Sequence, residues 1–228
     1  NETIASSKRS RAMKLLDSGD FDSAYTLLRE INDNETIASS KYNRAIKCID
    51  SGDYESAYIL LKDISYKDSK EKCADIKTKY NQILMRKAAV GDKITFGTYE
   101  QDNVTSNGAE DIEWLVLAKE NNKILVISDK ALDYQRYNKT YEKITWEQCS
   151  LRKWLNDSFF NAAFSEEEQA LIQNTTVSAD KNPKYSTDPG NATTDKVFLL
   201  SINEAEKYFS GEQARKCTTT AYVIAIAQ

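Results

Sequence analysis

An internal duplication near the N-terminus constrains the fold of this chain more than any other feature of its sequence. The phrase Asn-Glu-Thr-Ile-Ala-Ser-Ser-Lys occurs at residues 1–8 and again at 34–41, and the match continues to Ile31 and Ile64. About two-thirds of the aligned positions are identical, at an offset of 33 residues. Repeats of this length are supersecondary units that bury their apolar faces on one another. We therefore expect stacked units in this part of the chain.

Each repeat carries the signals of two helices joined by a tight turn. Apolar residues recur at helical spacing on both sides of an Asp-Ser-Gly-Asp turn at 17–20 and 50–53. The glycine of each turn suits the left-handed end of a helix, and the following aspartate, Asp20 or Asp53, suits the N-cap of the next helix. The sequence thus predicts helix–turn–helix units.

A third helix is expected after the second repeat, because Asp68 and Glu71 have the spacing of a capping box. The predicted organisation of this region is a repeat at 1–33, a repeat at 34–66 and a helix over 67–86. The whole region 1–86 is therefore expected to be helical.

Both repeats share a phrase that spans the turn and the second helix. This phrase, Gly-x-[Phe/Tyr]-x-x-Ala-x-x-x-Leu, begins at Gly19 and at Gly52. Through it the repeats resemble the tetratricopeptide-like family, although the Trp and Pro of the standard pattern are missing. The resemblance covers residues 1–86 and implies a concave flank that binds a protein partner. The alternative is a spacer that holds the next domain away from a surface.

Strand periodicity replaces helical periodicity after Ala88. Apolar residues alternate at 93–98 and fill two further short segments, 114–118 and 124–127, around the turn at 120–123. This spacing predicts a hairpin and a neighbouring strand.

Helical signals then return in the C-terminal part of the chain. Capping-box patterns are predicted at 145–148, 165–168 and 201–204. The polar stretch 173–196 reads as a long loop, and 197–200 as a strand. Strands followed by helices predict an α+β domain rather than alternating βαβ units.

Residues 90–228 contain five characteristic phrases in order: GDKITFGTYEQDN, IEWLVL, ILVISDKALD, TWEQCSLRKWLNDSFFNAAFSEEE and DKVFLLSINEAEKYF. Through these phrases the region resembles an uncharacterised bacterial domain family, which is similar to the C-type-lectin-like and formylglycine-generating-enzyme-like folds. The family continues into a Trp-rich phrase and a closing strand that do not occur here, which implies that the C-terminal half of the domain is missing. If the parent chain continues past Gln228, residues 221–227 are expected to form an internal strand. Otherwise this apolar tail needs another partner, such as a second copy of the chain.

Composition excludes several functional classes. Histidine is absent, so the chain has no Ser-His-Asp or Cys-His nucleophile system and no imidazole metal site. The four cysteines lack Cys-x-x-Cys spacing, and we expect reduced, mostly buried thiols. The net charge is −4 with both signs interspersed, which argues against a nucleic-acid partner.

No apolar run is long enough to span a membrane. We expect a soluble bacterial chain, at the cell surface or outside the cell only if segments beyond this sequence anchor it.

The segment 180–195 holds the candidate ligand-binding residues. Asp188, Asn191 and Asp195 offer oxygen ligands that a hard cation such as calcium prefers, and Tyr185 is suited to stacking on a sugar ring. The alternative is a polar loop ordered by its own side chains.

Two other acidic phrases are weaker candidates. Residues 154–157 resemble the Trp-Asn-Asp calcium phrase of lectins but with different spacing, so Trp154 and Leu155 are expected in the core and the next two residues at the helix end. Asp111 and Glu113 are expected to be solvated charges at a strand edge. We predict no catalytic residue, no metal ligand and no required cofactor.

These observations favour a non-enzymatic binding protein, in which helical repeats present a lectin-like domain to a glycan or protein ligand. Two alternatives remain open. One is a structural protein–protein interaction module whose second domain is a passive cap. The other is a divergent formylglycine-generating-enzyme-like enzyme, although Cys149 and Cys217 do not form the cysteine pair that such a site needs.

Overall fold

The computed structural model describes residues 2–227, which form two compact units divided between residues 83 and 84. The N-terminal unit is helical and the C-terminal unit contains the sheets, so the predicted α+β class is confirmed. No helix in the described part of the chain is long and apolar enough to cross a membrane.

The N-terminal unit consists of five helices, of which the last continues past the division between the units. They are α1 (Glu2–Ser18), α2 (Phe21–Glu30), α3 (Asn34–Asp50), α4 (Tyr54–Leu61) and α5 (Ser69–Lys87). The turn geometry is as expected, because Gly19 and Gly52 have φ values of +85° and +78°. Asp20 and Asp53 accept hydrogen bonds from backbone N–H groups three residues on, at 3.3 and 3.1 Å. The two repeats therefore form equivalent helix–turn–helix units.

The third predicted helix is present as α5, but Asp68 has a long-range role. Its carboxylate accepts a hydrogen bond from the Tyr42 hydroxyl at 2.5 Å and forms an ion pair with Lys72. The Tyr42 hydrogen bond lowers the pKa of Asp68 from its usual value. Asp68 thus connects α3 to the start of α5.

The C-terminal unit begins with a three-stranded antiparallel sheet in the order β1 (Lys93–Tyr99), β2 (Glu110–Glu120) and β3 (Lys123–Ser128). Ile94 and Phe96 point inward and are 8% and 6% exposed, as the alternation predicts. Asn121 and Asn122 both have positive φ, the geometry that a tight two-residue hairpin needs. The predicted hairpin is confirmed.

A helical segment packs its aromatic side chains against this sheet. It comprises α6 (Ser150–Trp154), a π-helical turn (Leu155–Phe159) and α7 (Phe160–Ala163), and it is followed by α8 (Glu166–Leu171). The core of the unit is a cluster of buried apolar residues from β1, β2 and these helices: Phe96, Ile112, Leu132, Leu155, Phe159, Phe160, Ala163 and Phe164. The capping box predicted at 165–168 is confirmed.

Two expectations about the start and end of this helical segment are wrong. Residues 145–148 form a turn, and the helix begins at Ser150 with the Cys149 sulfur as its N-cap acceptor. The side chain of Thr145 instead lies against Gly190, where an added Cβ would be 2.7 Å from the Thr145 Cβ. The helix also continues through residues 156–157, because the π-turn carries the backbone on to Ala163.

The stretch 173–196 is not a simple loop. Its two ends pair as antiparallel strands, β5 (Thr175–Val177) and β6 (Thr193–Asp195). The strand predicted at 197–200 is wrong, because the Asn156 side chain occupies the backbone groups that a neighbouring strand would use. Its Oδ1 accepts from Val197 N at 3.2 Å and its Nδ2 donates to Val197 O at 2.8 Å.

The remaining elements of the C-terminal unit are short. Strand β4 (Lys130–Ala131), which lies between β3 and α6 in the chain, pairs in parallel with β7 (Thr218–Thr219). The others are α9 (Ile202–Tyr208), a 3₁₀ turn (Gln213–Arg215) and α10 (Ala221–Ile226). The capping box at 201–204 is confirmed. An internal strand at 221–227 is wrong, because the Thr220 hydroxyl accepts from Val223 N and starts a helix. Ile224 and Ile226 of α10 are exposed, so self-association through this tail stays a prediction.

Candidate functional site

An open cleft of about 390 Å³ lies beside the start of α6 in the C-terminal unit. It is lined by the turn before α6, by one face of α6 and the π-helical turn, and by strand β6: Glu147, Gln148, Cys149, Arg152, Lys153, Asn156, Asp157, Thr194 and Asp195. Because nearly all of these side chains are polar, the cleft offers hydrogen-bond donors and acceptors, and both positive and negative charges, to a ligand.

A buried ion pair forms the base of the cleft. The Asp195 side chain is 1% exposed, and its Oδ1 accepts from Arg152 Nε at 2.7 Å. Its Oδ2 accepts from Trp146 Nε1 at 2.9 Å and from Thr193 Oγ1 at 2.6 Å. Arg152 also donates to Glu147 O at 3.0 Å. These bonds satisfy the buried carboxylate and fix β6 against α6.

Asn156 is a second connector between the same elements. Its amide group bonds the backbone of residues 196 and 197 and also donates to Arg152 O at 3.1 Å. A short polar side chain inside a helix usually faces solvent or its own backbone. Here the side chain of Asn156 makes the hydrogen bonds to the backbone of residues 196 and 197 that a neighbouring strand would otherwise make.

The segment 134–141 holds three exposed tyrosines, and one of them, Tyr137, contacts a residue that lines the cleft. Tyr134 is 62% exposed, Tyr137 is 44% exposed and Tyr141 is fully exposed. Tyr137 is hydrogen-bonded to Cys149, which lines the cleft, and burial together with this thiol raises the pKa of Tyr137 to about 12. The backbone of Tyr137 also accepts from Leu151 N at 3.2 Å. The tyrosine segment is thus attached directly to the start of α6.

The four residues proposed from the sequence occupy different environments. Tyr185 is 58% exposed. Asp188 accepts from Gly190 N at 3.0 Å, within its own loop, while Asn191 Nδ2 donates to Glu147 Oε2 at 3.1 Å on the cleft. Asp195 is at the buried base. The structure therefore places Asn191 and Asp195 at the cleft, and the three oxygen-bearing side chains bond to separate groups, with Asn191 and Asp195 reaching residues outside the segment.

An acidic group that the sequence analysis did not single out lies in the loop between β1 and β2. The carboxylate oxygens of Glu100, Asp102 and Glu110 lie within 4.8 Å of one another. Hydrogen bonds from the loop occupy them, including Asn107 Nδ2 to Asp102 Oδ2 at 2.8 Å and Gln101 N to Glu110 Oε2 at 2.6 Å. The bond from Asn107 is the main cause of the lowered pKa of Asp102. These donors compensate the carboxylate charges.

The other weak candidates have ordinary structural roles. Asp111 and Glu113 are exposed, as expected of solvated charges, but they lie on β2, the central strand of the sheet, rather than on an edge strand. All four cysteines are free, but only Cys149 is buried, while Cys48 and Cys73 are half-buried and Cys217 is exposed. The expectation of mostly buried thiols is therefore wrong.

Sequence reasoning missed the two residues that organise the cleft. Arg152 was not singled out at all, and Asn156 was assigned to a helix end. No local pattern marks either residue, because their partners lie 43 and 41 positions away in the chain.

Comparison with known proteins gives one match. A family model described as a domain of unknown function (DUF6273) matches residues 121–225, from the turn between β2 and β3 into α10. No curated protein and no solved structure matches the chain. The matched stretch covers less than half of the chain and contains the whole cleft. The protein thus combines a helical N-terminal segment with a C-terminal stretch similar to a domain of unknown function.

Proposed function

We propose that this chain is a non-enzymatic binding protein whose C-terminal unit holds a carbohydrate ligand at the cleft beside α6. The observation that carries the proposal is the combination of a polar cleft with the exposed ring of Tyr137, whose hydroxyl is hydrogen-bonded to Cys149 of the cleft lining. Sugars present apolar C–H faces and many hydroxyl groups, so aromatic rings beside polar side chains complement both.

The charged groups at the base of the cleft support binding rather than catalysis. Arg152 and Asp195 bond to each other and to neighbouring groups, so their donors and acceptors hold the fold together. A general acid and base would need environments that drive their pKa values apart at a position that reaches the substrate. The absence of histidine removes the commonest residue for that task.

In this proposal the C-terminal unit is a C-type-lectin-like domain, and the helical unit is a tetratricopeptide-like module that presents it. The helical part of this interpretation is supported by the duplicated sequence and by the matching turn geometry of the two repeats. The lectin-like part is supported by the ordered phrases of residues 90–228 and by the α+β class.

Binding of the full chain to a glycan array, followed by calorimetry on any hit, tests the proposal. Tyr185→Ala and Tyr137→Ala are each expected to weaken binding by up to about tenfold, the effect of losing one stacked aromatic ring. Tyr185→Phe and Tyr137→Phe keep the ring and are expected to bind normally. Ile59→Ala, at an exposed position of the helical unit, serves as the matched control.

Each array is run with calcium and with a chelator, which also tests whether the candidate ligand-binding residues of the segment 180–195 hold a cation. Loss of binding in the chelator, together with the same loss in Asp188→Asn, would assign a metal to the loop. A folded chain that binds no glycan in either condition would contradict the proposal.

A protein ligand is the second candidate, and a groove in the helical unit favours it. This groove of about 210 Å³ lies between α4 and α5 and has Leu61 and Cys73 among its lining residues. Lys62, Lys70 and Lys77 also line it, which suits an acidic peptide. Screening the full chain against an acidic peptide library tests this candidate. Lys70→Glu should abolish any binding, whereas Lys14→Glu, on the exposed part of α1, should leave it unchanged.

A further inference from the structure

The interface between the two helical repeats is formed by a small set of contacts from α2 to α3. Tyr25 and Leu28 of α2 form one apolar cluster with Ile37 of α3, which is 8% exposed. The Tyr25 hydroxyl is hydrogen-bonded to Ser40 at 3.2 Å and accepts from Arg44 at 3.3 Å. These contacts define the face of α3 that receives the preceding hairpin.

Arg44 extends this interface by stacking on an aromatic ring. Its guanidinium carbon lies 3.6 Å from the centre of the Phe21 ring, at the start of α2. The receiving face of α3 is therefore the triplet Ile37, Ser40 and Arg44, which meets the triplet Phe21, Tyr25 and Leu28 of α2.

In the second repeat, the equivalent residues of α4 pack against α5 in the same way. Tyr54, Tyr58 and Leu61 of α4 are the equivalents of the α2 triplet. Lys79 lies 4.3 Å from the centre of the Tyr54 ring, and Tyr80 stacks on Tyr58 with ring centres 4.0 Å apart. A cation on the first aromatic ring thus recurs at both interfaces.

Helix α1 carries an exact copy of the receiving triplet. Ile4, Ser7 and Arg11 are the residues 33 positions before those of α3, and all three are identical to their equivalents. In α1 they are exposed, and Ile4 is 61% exposed where its equivalent is 8% exposed.

We propose that the Ile4–Ser7–Arg11 face of α1 is a docking surface for a further helical hairpin, one whose second helix carries the aromatic–Tyr–Leu pattern of α2. The argument is continuity with an interface already present in this chain: the same three side chains at the same spacing bind that pattern in α3. The partner is therefore a helical repeat of this kind, and the surface belongs to the N-terminal unit, whereas the proposed carbohydrate cleft belongs to the C-terminal unit. Stacking of such units by nearest-neighbour contacts lets each added unit stabilise the next.

The test adds one extra copy of residues 1–33 directly before Asn1 of the full chain. The junction reproduces the native sequence around 31–41, including the Asp33 carboxylate that accepts from Thr36 N at 3.2 Å. Hydrogen–deuterium exchange in α1 is expected to slow by roughly fivefold or more, because Ile4 becomes buried and the helix no longer opens alone. Circular dichroism should show that the added copy is helical.

Matched variants separate docking from mere extension of the chain. Ile4→Asp should leave exchange in α1 nearly unchanged in the parent chain, where this side chain is exposed, and should abolish the slowing in the extended chain. Ile37→Asp should disrupt the native interface in the parent chain. Alanine at the Tyr25 and Leu28 positions of the added copy should also remove the slowing.

Unchanged exchange of α1 in the extended chain would overturn the proposal, as would a slowing that persists with Ile4→Asp. An added copy that stays unfolded beside a folded parent would count equally against it, since docking is what should fold the hairpin.

Discussion

Replacing Arg152 with methionine is expected to destabilise the C-terminal unit strongly, because it leaves the buried Asp195 carboxylate without its cation. The carboxylate keeps only the neutral donors Trp146 and Thr193. Methionine has a similar length and preserves most of the packing of the arginine stem, so the loss reports the charge and its hydrogen bonds.

The magnitude follows from the burial of the two partners. Removing one member of a buried pair typically costs 3–5 kcal/mol, and the Arg152 side chain is 28% exposed, so we expect the lower end, about 3 kcal/mol. Asp195→Asn keeps an acceptor and leaves the partly exposed arginine to water, at a cost of about 2 kcal/mol. The double variant should lose about 3 kcal/mol rather than the sum, which gives a coupling of about 2 kcal/mol.

Urea unfolding followed by tryptophan fluorescence measures these values. Trp114, Trp146 and Trp154 are the three tryptophans of the chain, and all lie in the C-terminal unit, so the signal reports on that unit alone. Lys93→Met is the control, since it removes an exposed ion pair to Asp129 and should hardly move the midpoint. If Arg152→Met behaves like Lys93→Met, or if the double variant is additive, then the pair does not fix β6 against α6.

Three further outcomes are expected. Asn156→Ala should cost about 2 kcal/mol in urea unfolding, because backbone groups near the cleft lose their partners. Asn156→Asp keeps the acceptor but sets a carboxylate oxygen against the carbonyl oxygens of Arg152 and Val197, so it should cost at least as much. Gly97→Ala should lower the free energy of unfolding by about 3 kcal/mol, because φ is +72° and the new Cβ would lie 2.6 Å from the Phe164 ring. Gly91→Ala is the control, since Gly91 has φ +93° but open space around it, and it should lose about 1 kcal/mol. Equal losses in the two variants would refute the steric argument. The pKa of Tyr137 is raised from 10.0 to about 12, so the stabilising contribution of this hydroxyl is complete below pH 10 and is lost as the pH rises through 12. The thermal midpoint should therefore fall less steeply with pH over that range in Tyr137→Phe than in the parent chain. An unchanged slope would argue against this role of Tyr137.

Elements that depend on neighbouring residues could be predicted from the sequence. The turn at 120–123 requires two residues with positive φ, and two adjacent asparagines supply them. The capping boxes at 165–168 and 201–204 are confirmed because donor and acceptor lie within four residues of each other. The pattern at 145–148 is equally good locally, yet the contact between Thr145 and Gly190 prevents it from starting a helix.

The same distinction applies to the candidate site. Tyr185 and Asn191 stand out in a polar segment, and their exposure and hydrogen bonding fit a loop at the edge of a cleft. The sequence does not reveal that Asp195 is buried, because this depends on Arg152, which is 43 residues away.

The sequence by itself determined the helix–turn–helix repeats, the hairpin, the α+β class and the absence of histidine chemistry. Periodicity and turn residues depend only on neighbouring positions in the chain, and composition does not depend on the order of residues at all. Only the tertiary structure decided that β5 and β6 close the segment 173–196, that the backbone of residues 196 and 197 bonds to an asparagine side chain, and that the first repeat leaves its receiving face exposed. Each of these depends on which distant groups share the same buried space, since a buried polar group must find its partner wherever the fold places one.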